Sequence, residues 1–306
     1  MSMQEVFLIT GGNGFVASQL VPLLLSEGPD REIIVVSRKQ GRVCRLERSG
    51  IRYVYGDLKE KSTWAELPRT ITHVFHLAAF IPWGSEDRNR SMVAEENLIP
   101  IAHMIETSRQ WPHLTQVVFS SSVAVYAKSK DVIREDSLKS PADIYGASKL
   151  AGEDLLLCLA ARGTAVSALR YSSIYGFGQY QGTVLPVMIK RALQKKEILV
   201  FGRGERTQDF VHCADAAFAN LLAYRRQSQG IFNIGSGVPI SMISLAQLIS
   251  RIFTDNEAQI NLLTEKEDYD PGLKLDISKA SRQLGYAPNI AMEEGLRQLK
   301  QMMQEG

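Results

Sequence analysis

The sequence predicts an α/β fold: a doubly wound parallel sheet covered by helices on both faces, joined to a smaller mixed α/β region. Three observations predict it. Short β-branched runs alternate with longer stretches of helical periodicity through the first half of the chain, the pattern of strands joined by crossover helices. A glycine turn stands between the first strand and the first helix. Beyond about residue 172 the texture changes, and Gly-rich turns at Tyr175–Gly178, Gly202–Gly204 and Gly235–Gly237 separate short elements in a less regular order.

Val6–Thr10 reads as the first strand and Gly14–Ser26 as the first helix, with apolar residues at Phe15, Leu20, Leu23 and Leu24. Ile33–Ser37 and Ile51–Tyr55 are the second and third strands, and Thr72–Leu77 is the fourth, preceded by turn chemistry at Pro68. A long helix is expected over 92–108 and a buried strand over Thr115–Ser121. Helical periodicity over 142–161 has Pro141 near its start and Gly163 after its end, which is the usual asymmetry of helix termini. Val166–Tyr171 closes this half as a strand. Residues 1–171 and 172–306 are therefore read as two parts, the second interleaved with the sheet instead of standing alone. There is no repeat of fixed period and no low-complexity segment.

A chain of 306 residues buries enough surface to need no disulfide or metal staple. With 45% hydrophobic and 22% charged residues, disorder, collagen and coiled coil are excluded. Thirty-five Lys and Arg against 33 Asp and Glu leave +2, so there is no global basic field for nucleic acid or for an anionic membrane. No apolar run approaches a membrane span, and Glu5 stands where a signal peptide would be basic. Cys44, Cys158 and Cys213 are far apart and in no metal spacing, as in a reduced cytoplasmic protein. Cys158 is expected to be a small core residue. The five histidines have no ligand spacing, so no metal is expected.

The stretch Val6–Ser18 runs from strand through Gly11, Asn13 and Gly14 into a helix opened by Phe15 and Val16. Gly11 lets the chain reverse. Gly14 lets the backbone approach a pyrophosphate, whose charge the helix N-terminus favours. Ala17 stands where a third glycine is more usual. The tip of the second strand then reports on the ribose, an acid there suiting NAD and a basic group NADP. Here it reads Val36-Ser37-Arg38-Lys39, which predicts NADP held by Ser37 and Arg38, with NAD as the alternative. Asp57, followed by Leu58, is a candidate acceptor for the adenine amino group; a simple turn aspartate is the other reading.

Tyr145 and Lys149 are four apart on a helix and so share a face. A free phenol titrates near 10, too high for a base at neutral pH, but a neighbouring ammonium and a cationic nicotinamide both favour the phenolate. Lys149 is also suited to hold the nicotinamide ribose. A hydroxyl to bond the substrate oxygen is expected from the strand ending Ser120-Ser121-Ser122, at Ser122.

Together, Thr10–Ser18, Phe75-His76-Leu77-Ala78-Ala79, the serine-rich strand and Tyr145–Lys149 resemble the extended short-chain dehydrogenase/reductase family, in its branch of NAD-dependent epimerases and dehydratases acting on nucleotide sugars. The similarity runs nearly end to end, through Leu169–Gly176, Val200–Gly204, Asp209–His212, Phe232–Gly237 and Asp276–Pro288. It implies a seven-stranded Rossmann-type sheet in the first half, a dinucleotide-binding region over 1–171 and a substrate-binding region over 172–306. It also implies cofactor contacts from Leu77, Ala78, Ala79 and Asn97, and a homodimer in which helices 92–108 and 142–161 pair as a four-helix bundle. Trp83 follows a strand tip that borders the cofactor in this fold; it either walls the substrate pocket or anchors a loop.

The departures from that branch are informative. Dehydratases and decarboxylases of the family carry a Glu just beyond the catalytic hydroxyl, where this chain has Val123 and Ala124, so elimination is not expected. The Cys–His pair of 3,5-epimerases has no counterpart in Gln179–Val187. The arginine that grips the diphosphate is replaced by Gln208, and a second by Lys274, with Arg203 or Arg206 as compensating candidates. Each missing charge-assisted contact costs about 1.5–3 kcal/mol. Ser173 stands where an Asn is common. The resemblance thus implies a 4-ketoreductase or 4-epimerase of a nucleotide sugar. A reductase of a non-nucleotide carbonyl compound and a non-catalytic dinucleotide-binding regulator are the alternatives.

Overall fold

The computed structural model describes residues 4–28, 31–38, 50–82, 90–179, 182–265 and 272–305. The first half alternates as the sequence predicts: β1 (Val6–Thr10), α1 (Phe15–Ser26), β2 (Glu32–Ser37), β3 (Ile51–Tyr55), α2 (Lys61–Ala65), β4 (His73–His76), α3 (Ser91–Thr107), β5 (Gln116–Ser122), α4 (Ile144–Ala160) and β6 (Ala165–Tyr171). There follow β7 (Ser173–Tyr175), α5 (Val184–Leu193), β8 (Ile198–Phe201), β9 (Thr207–Gln208), β10 (Phe210–His212), α6 (Cys213–Arg225), β11 (Gly230–Ile234), β12 (Ile240–Ser241), α7 (Met242–Thr254), β13 (Ile260–Leu263), α8 (Ser278–Leu284) and α9 (Met292–Glu305).

The central sheet has seven parallel strands in the order β11-β6-β5-β4-β1-β2-β3. Its order reverses between β1 and β4, the switch point where open α/β sheets bind ligands. Strand residues alternate between two cores. Phe7, Ile9, Ile33 and Val35 pack with Leu20, Leu24, Ala216 and Ala280 from α1, α6 and α8. Val6, Leu8, Ile34 and Val36 pack with Trp64, Ile101, Met104 and Leu156 from α2, α3 and α4 on the opposite face. Both faces are covered, which is why the strands read as continuous apolar runs.

The first half supplies six strands, not seven. The seventh is β11, delivered by α6, which packs against α1 and returns the chain to the free edge of β6. A third core, built from α5, α7, α9, β8 and β10, forms around Tyr175, Leu185, Phe210, Leu245 and Leu296. Cys158 is exposed on α4, contrary to the expectation of a core position. Its helix is apolar on more than one side, with Leu155 and Leu157 exposed as well, and periodicity alone cannot tell which side is buried. Among the described residues no helix is long and apolar enough to cross a membrane.

Candidate active site

Every strand of the sheet that carries a predicted site residue delivers it at its C-terminal end. At the end of β1, Gly11 turns with φ +73°, and a Cβ there would lie 2.7 Å from the backbone nitrogen of Ala78. Only glycine lets the first turn lie this close to the segment after β4. Gly14 donates its N–H to the Gly11 carbonyl at 2.8 Å and N-caps α1, with no side chain capping the helix. The first amides of α1 are therefore left for another acceptor. Phe15 and Val16 form its first turn, Val16 against the core.

A cavity of about 300 Å³ opens above this turn. Its lining includes Gly11, Asn13, Gly14, Ser37, Arg38, Asp57, Leu58, Leu77, Ala78 and Ala79, together with Phe80 and Glu96. The Asn13 amide donates to the Arg38 carbonyl at 3.3 Å, tying the glycine turn to the β2 tip. Asp57 is a turn residue as well as a lining one, since its carboxylate accepts from the Lys59 N–H at 2.9 Å. The Arg38 guanidinium is 64% exposed and lies 3.8 Å from Glu96, which also pairs closely with Lys59. Ser37 keeps its Oγ buried and without a partner. An uncapped helix start, an orphaned hydroxyl and an exposed cation around one cavity fit the adenosine diphosphate half of a dinucleotide.

Asn97 is not in that lining. Its Oδ1 accepts from Phe80 N at 2.8 Å, while its Nδ2 donates to the Phe80 carbonyl at 3.2 Å and to Ser148 Oγ at 3.0 Å. Ser148 in turn donates to the Tyr145 carbonyl at 2.8 Å. A polar chain therefore links the segment after β4, α3 and the first turn of α4. Sequence reasoning passed over Ser148 and Phe80, because only the fold makes them neighbours.

The start of α4 is fixed by Asp143, whose carboxylate accepts the Gly146 N–H at 2.7 Å. Gly146 itself presses on the turn after β5: a Cβ would lie 2.3 Å from the Ala124 carbonyl oxygen. That turn is capped by Ser122, whose Oγ accepts from Ala124 N at 3.1 Å. The segments bearing Tyr145 and Ser122 are thus in direct contact. Tyr145 is buried, and Lys149 Nζ lies 5.9 Å from its ring centroid. Lys149 donates to the Ser120 carbonyl at 2.7 Å and sits 5.0 Å over the Phe119 ring. Burial pushes this lysine down to about 7, opposed by the charge of Glu153. His76 accompanies it, pushed down to about 3 by burial and then by Lys149, and bonded to Thr10 Oγ1 at 3.0 Å.

Ser122 is in register with Tyr171, two residues before Ser173. Gln208 donates to the Ser173 hydroxyl in a close contact. Leu273 N donates to the Thr207 carbonyl at 2.9 Å, bringing the Lys274 segment alongside Gln208. Arg206 precedes this strand, its guanidinium 3.4 Å from Met242 Sδ. Asp209 points the other way, fully buried and accepting from Ser172 Oγ, Ser236 N and Gly237 N at 2.8–2.9 Å. Trp83, Lys39 and Cys44 lie outside the described residues. Among the described residues no group of His, Cys, Asp and Glu side chains is arranged to hold a metal ion.

Comparison with known proteins agrees with this geometry. The sequence matches the NAD dependent epimerase/dehydratase family over residues 7–235. A putative UDP-glucose 4-epimerase of Methanocaldococcus jannaschii is 30% identical, covering 97% of this chain and 98% of that protein. A UDP-N-acetyl-alpha-D-glucosaminuronate decarboxylase of Bacillus cytotoxicus is 29% identical, over 99% of each. The crystal structure of UDP-glucose 4-epimerase with UDP-glucose from Thermotoga maritima superposes with a TM-score of 0.85 at 28% identity, over 98% of this chain and 99% of that one. With its parallel seven-stranded sheet and glycine turn, the chain belongs to the NAD dependent epimerase/dehydratase family.

Proposed function

We propose that the protein is a dinucleotide-dependent 4-epimerase or 4-ketoreductase of a nucleotide-activated sugar, with Tyr145, Lys149 and Ser122 as its catalytic residues. The observation that carries the reading is the docking of the Tyr145 turn onto the Ser122 turn, with Lys149 buried beside the phenol. Supporting it, the similar proteins named above include UDP-glucose 4-epimerases. Val123 and Ala124 offer no proton at the position next to Ser122, which favours chemistry at one carbinol over elimination.

A bound nicotinamide would supply the hydride acceptor for the carbinol carbon and the hydride donor for the ketone. Tyr145 takes the hydroxyl proton in the oxidative direction and gives one back in the reductive direction. Lys149, when protonated, stabilises the phenolate. Ser122 already accepts from Ala124 N, so its own proton is available for the substrate oxygen. NADP is the proposed dinucleotide, on the ground that Ser37 and Arg38 close the β2 tip where an acid would select NAD. Residues 1–171 would bind it. Residues 172–306 would bind the sugar nucleotide through Ser173, Arg206, Gln208 and Lys274, with Trp83 as a further contact.

The Gln208–Ser173 hydrogen bond favours a second reading, a non-nucleotide carbonyl substrate, since a neutral amide occupies the position of a diphosphate-gripping cation. A homodimer is proposed across α3 and α4, where Met92, Ile99 and Leu155 are exposed. A cytoplasmic location is in keeping with the free thiols of Cys158 and Cys213. The decisive experiment is Tyr145→Phe assayed with UDP-glucose and UDP-galactose. Turnover is expected to fall by about 10²–10⁴ with dinucleotide binding intact; undiminished turnover rejects the proposal. A wild type that turns over neither sugar, with no shift in melting temperature from UDP, turns the assignment toward the non-nucleotide substrate.

A further inference from the structure

We propose that Glu153 and Arg170 are positioning residues whose buried ion pair governs the charge on Lys149, and through it the readiness of Tyr145 to act as a base. Glu153 follows Lys149 by four residues and Tyr145 by eight on α4, so the three share one helix face. The Glu153 and Arg170 side chains are 5% and 0% exposed. Arg170 grips the carboxylate with two prongs, Nε to Oε1 at 2.9 Å and Nη2 to Oε2 at 2.6 Å. Ser121, one residue before Ser122, donates a further close hydrogen bond to Oε1. The arginine is held in turn by the Glu135 carbonyl at 3.2 Å and lies 4.7 Å over the Tyr126 ring.

Replacing a buried ion pair by well-packed apolar side chains of the same volume is often neutral or stabilising. The position of this pair beside Lys149 gives it another task. The groups facing Lys149 can be taken element by element. On α4 they are Tyr145 and Glu153, and on β4 the neutral His76; on β6, Arg170 reaches Lys149 only through Glu153, and Tyr171 packs on the other face of the sheet and bonds Asn220. The stretch of β5 alongside brings hydroxyls, a carbonyl and the Phe119 ring. The buried face of α3 (Val93, Asn97, Ile101, Met104) brings no ionisable group. Glu153 is thus the carboxylate that favours protonated Lys149 against burial, and Arg170 balances that carboxylate.

The two members of the pair act on Lys149 with opposite signs. Neutralising Glu153 leaves the charge of Arg170 uncompensated, and Lys149 releases its proton at lower pH. Neutralising Arg170 leaves the carboxylate uncompensated, and Lys149 holds its proton to higher pH. A pair with a merely structural role behaves differently, because loosening the site from either side admits water and moves Lys149 upward in both cases.

The inference rests on Lys149 serving Tyr145 as proposed above, but its test needs no turnover. Protein labelled with ¹³Cε-lysine is titrated by NMR without ligand, the Lys149 signal being assigned by its loss in Lys149→Arg. Glu153→Gln is expected to lower the midpoint and Arg170→Gln to raise it, each by about one pH unit or more. Shifts in the same direction, or no shift in either variant, overturn the proposal. The double variant Glu153→Gln/Arg170→Met buries no unpaired charge and serves if a single variant fails to fold. Its midpoint is expected between wild type and Glu153→Gln, and a midpoint at or above wild type overturns the proposal. The acid limb of kcat/KM with UDP-glucose should shift in Glu153→Gln while dinucleotide binding is unchanged. Opposite NMR shifts in a protein that turns over neither UDP-glucose nor UDP-galactose support the charge coupling and count against the proposed activity.

Discussion

Replacing Gly146 by alanine isolates the contact that brings Tyr145 to Ser122. Gly146 lies in the first turn of α4 with ordinary helical backbone, so helix propensity alone favours alanine by about 1 kcal/mol. The neighbours forbid it. The new Cβ would lie 2.3 Å from the Ala124 carbonyl oxygen and 2.9 Å from Pro141 Cβ. A carbon–oxygen contact needs about 3.3 Å, so the two segments must part by about 1 Å. The Ala124 atom is backbone and cannot rotate away, and the turn that moves with it carries Ser122. A displacement of about 1 Å between reacting groups costs about 10² in rate, while overpacking lowers stability by about 1–3 kcal/mol. The assay compares kcat and KM for UDP-glucose with dinucleotide affinity by calorimetry. Gly28→Ala is the control, since the nearest heavy atom to its Cβ is the Arg31 guanidinium at 3.9 Å. The expected result is a kcat lowered by about 10² with dinucleotide affinity retained. A Gly146→Ala enzyme with full kcat and higher stability would refute the reasoning, because the propensity gain would then stand unopposed.

The buried histidines predict acid lability. Burial brings His73 down to about 4 and His76 to about 3, so below the unfolded value of about 6.5 the unfolded chain binds more protons and stability falls as pH falls. Between pH 6.5 and 5 each histidine removes about 1.6 kcal/mol. Urea unfolding at the two pH values should show this loss, and His76→Asn should reduce it by about half; an unchanged loss in that variant rules out His76 as a source. Arg38→Ala is expected to weaken NADP binding by about 1.5–3 kcal/mol and NAD binding much less. Equal losses in calorimetry count against a 2′-phosphate contact.

The parts of the fold legible in the sequence are those whose physics is local. Val6–Thr10 and Ile33–Val36 are buried on both faces, so they appear as unbroken apolar runs, and the Gly11–Gly14 turn follows from backbone geometry alone. Tyr145 and Lys149 could be paired because helical spacing puts them on one face. Other features depend on partners far along the chain. Strand β11 is short, begins at Gly230 and contains Asn233, whose amide is held by the Tyr126 hydroxyl across 107 residues, a partner no local pattern reveals. Helix α2 spans one turn and a half, too little for periodicity, although Trp64 is anchored through its ring N–H to the Leu58 carbonyl at 2.7 Å. Glu153 was visible at helical spacing from Lys149, but nothing in the sequence pairs it with Arg170. The amide of Asn97 could be assigned to the site by resemblance, yet its two anchors are Phe80 in the segment after β4 and Ser148 on α4.

The late arrival of β11 bears on how the protein can be made and cut. A chain ending after β6 would carry the glycine turn, the β2 tip and the Tyr145 helix, yet its outermost strand would present unpaired amides and carbonyls. The Ala-rich helix that covers α1 would be missing as well. Such a fragment should be sticky, and nascent chains should stay dependent on ribosome tethering or chaperones until about residue 234 has emerged. Transplanting the first half of the chain into another protein therefore requires Cys213–Ile234 to travel with it, as a split gene segment and not as a simple N-terminal module.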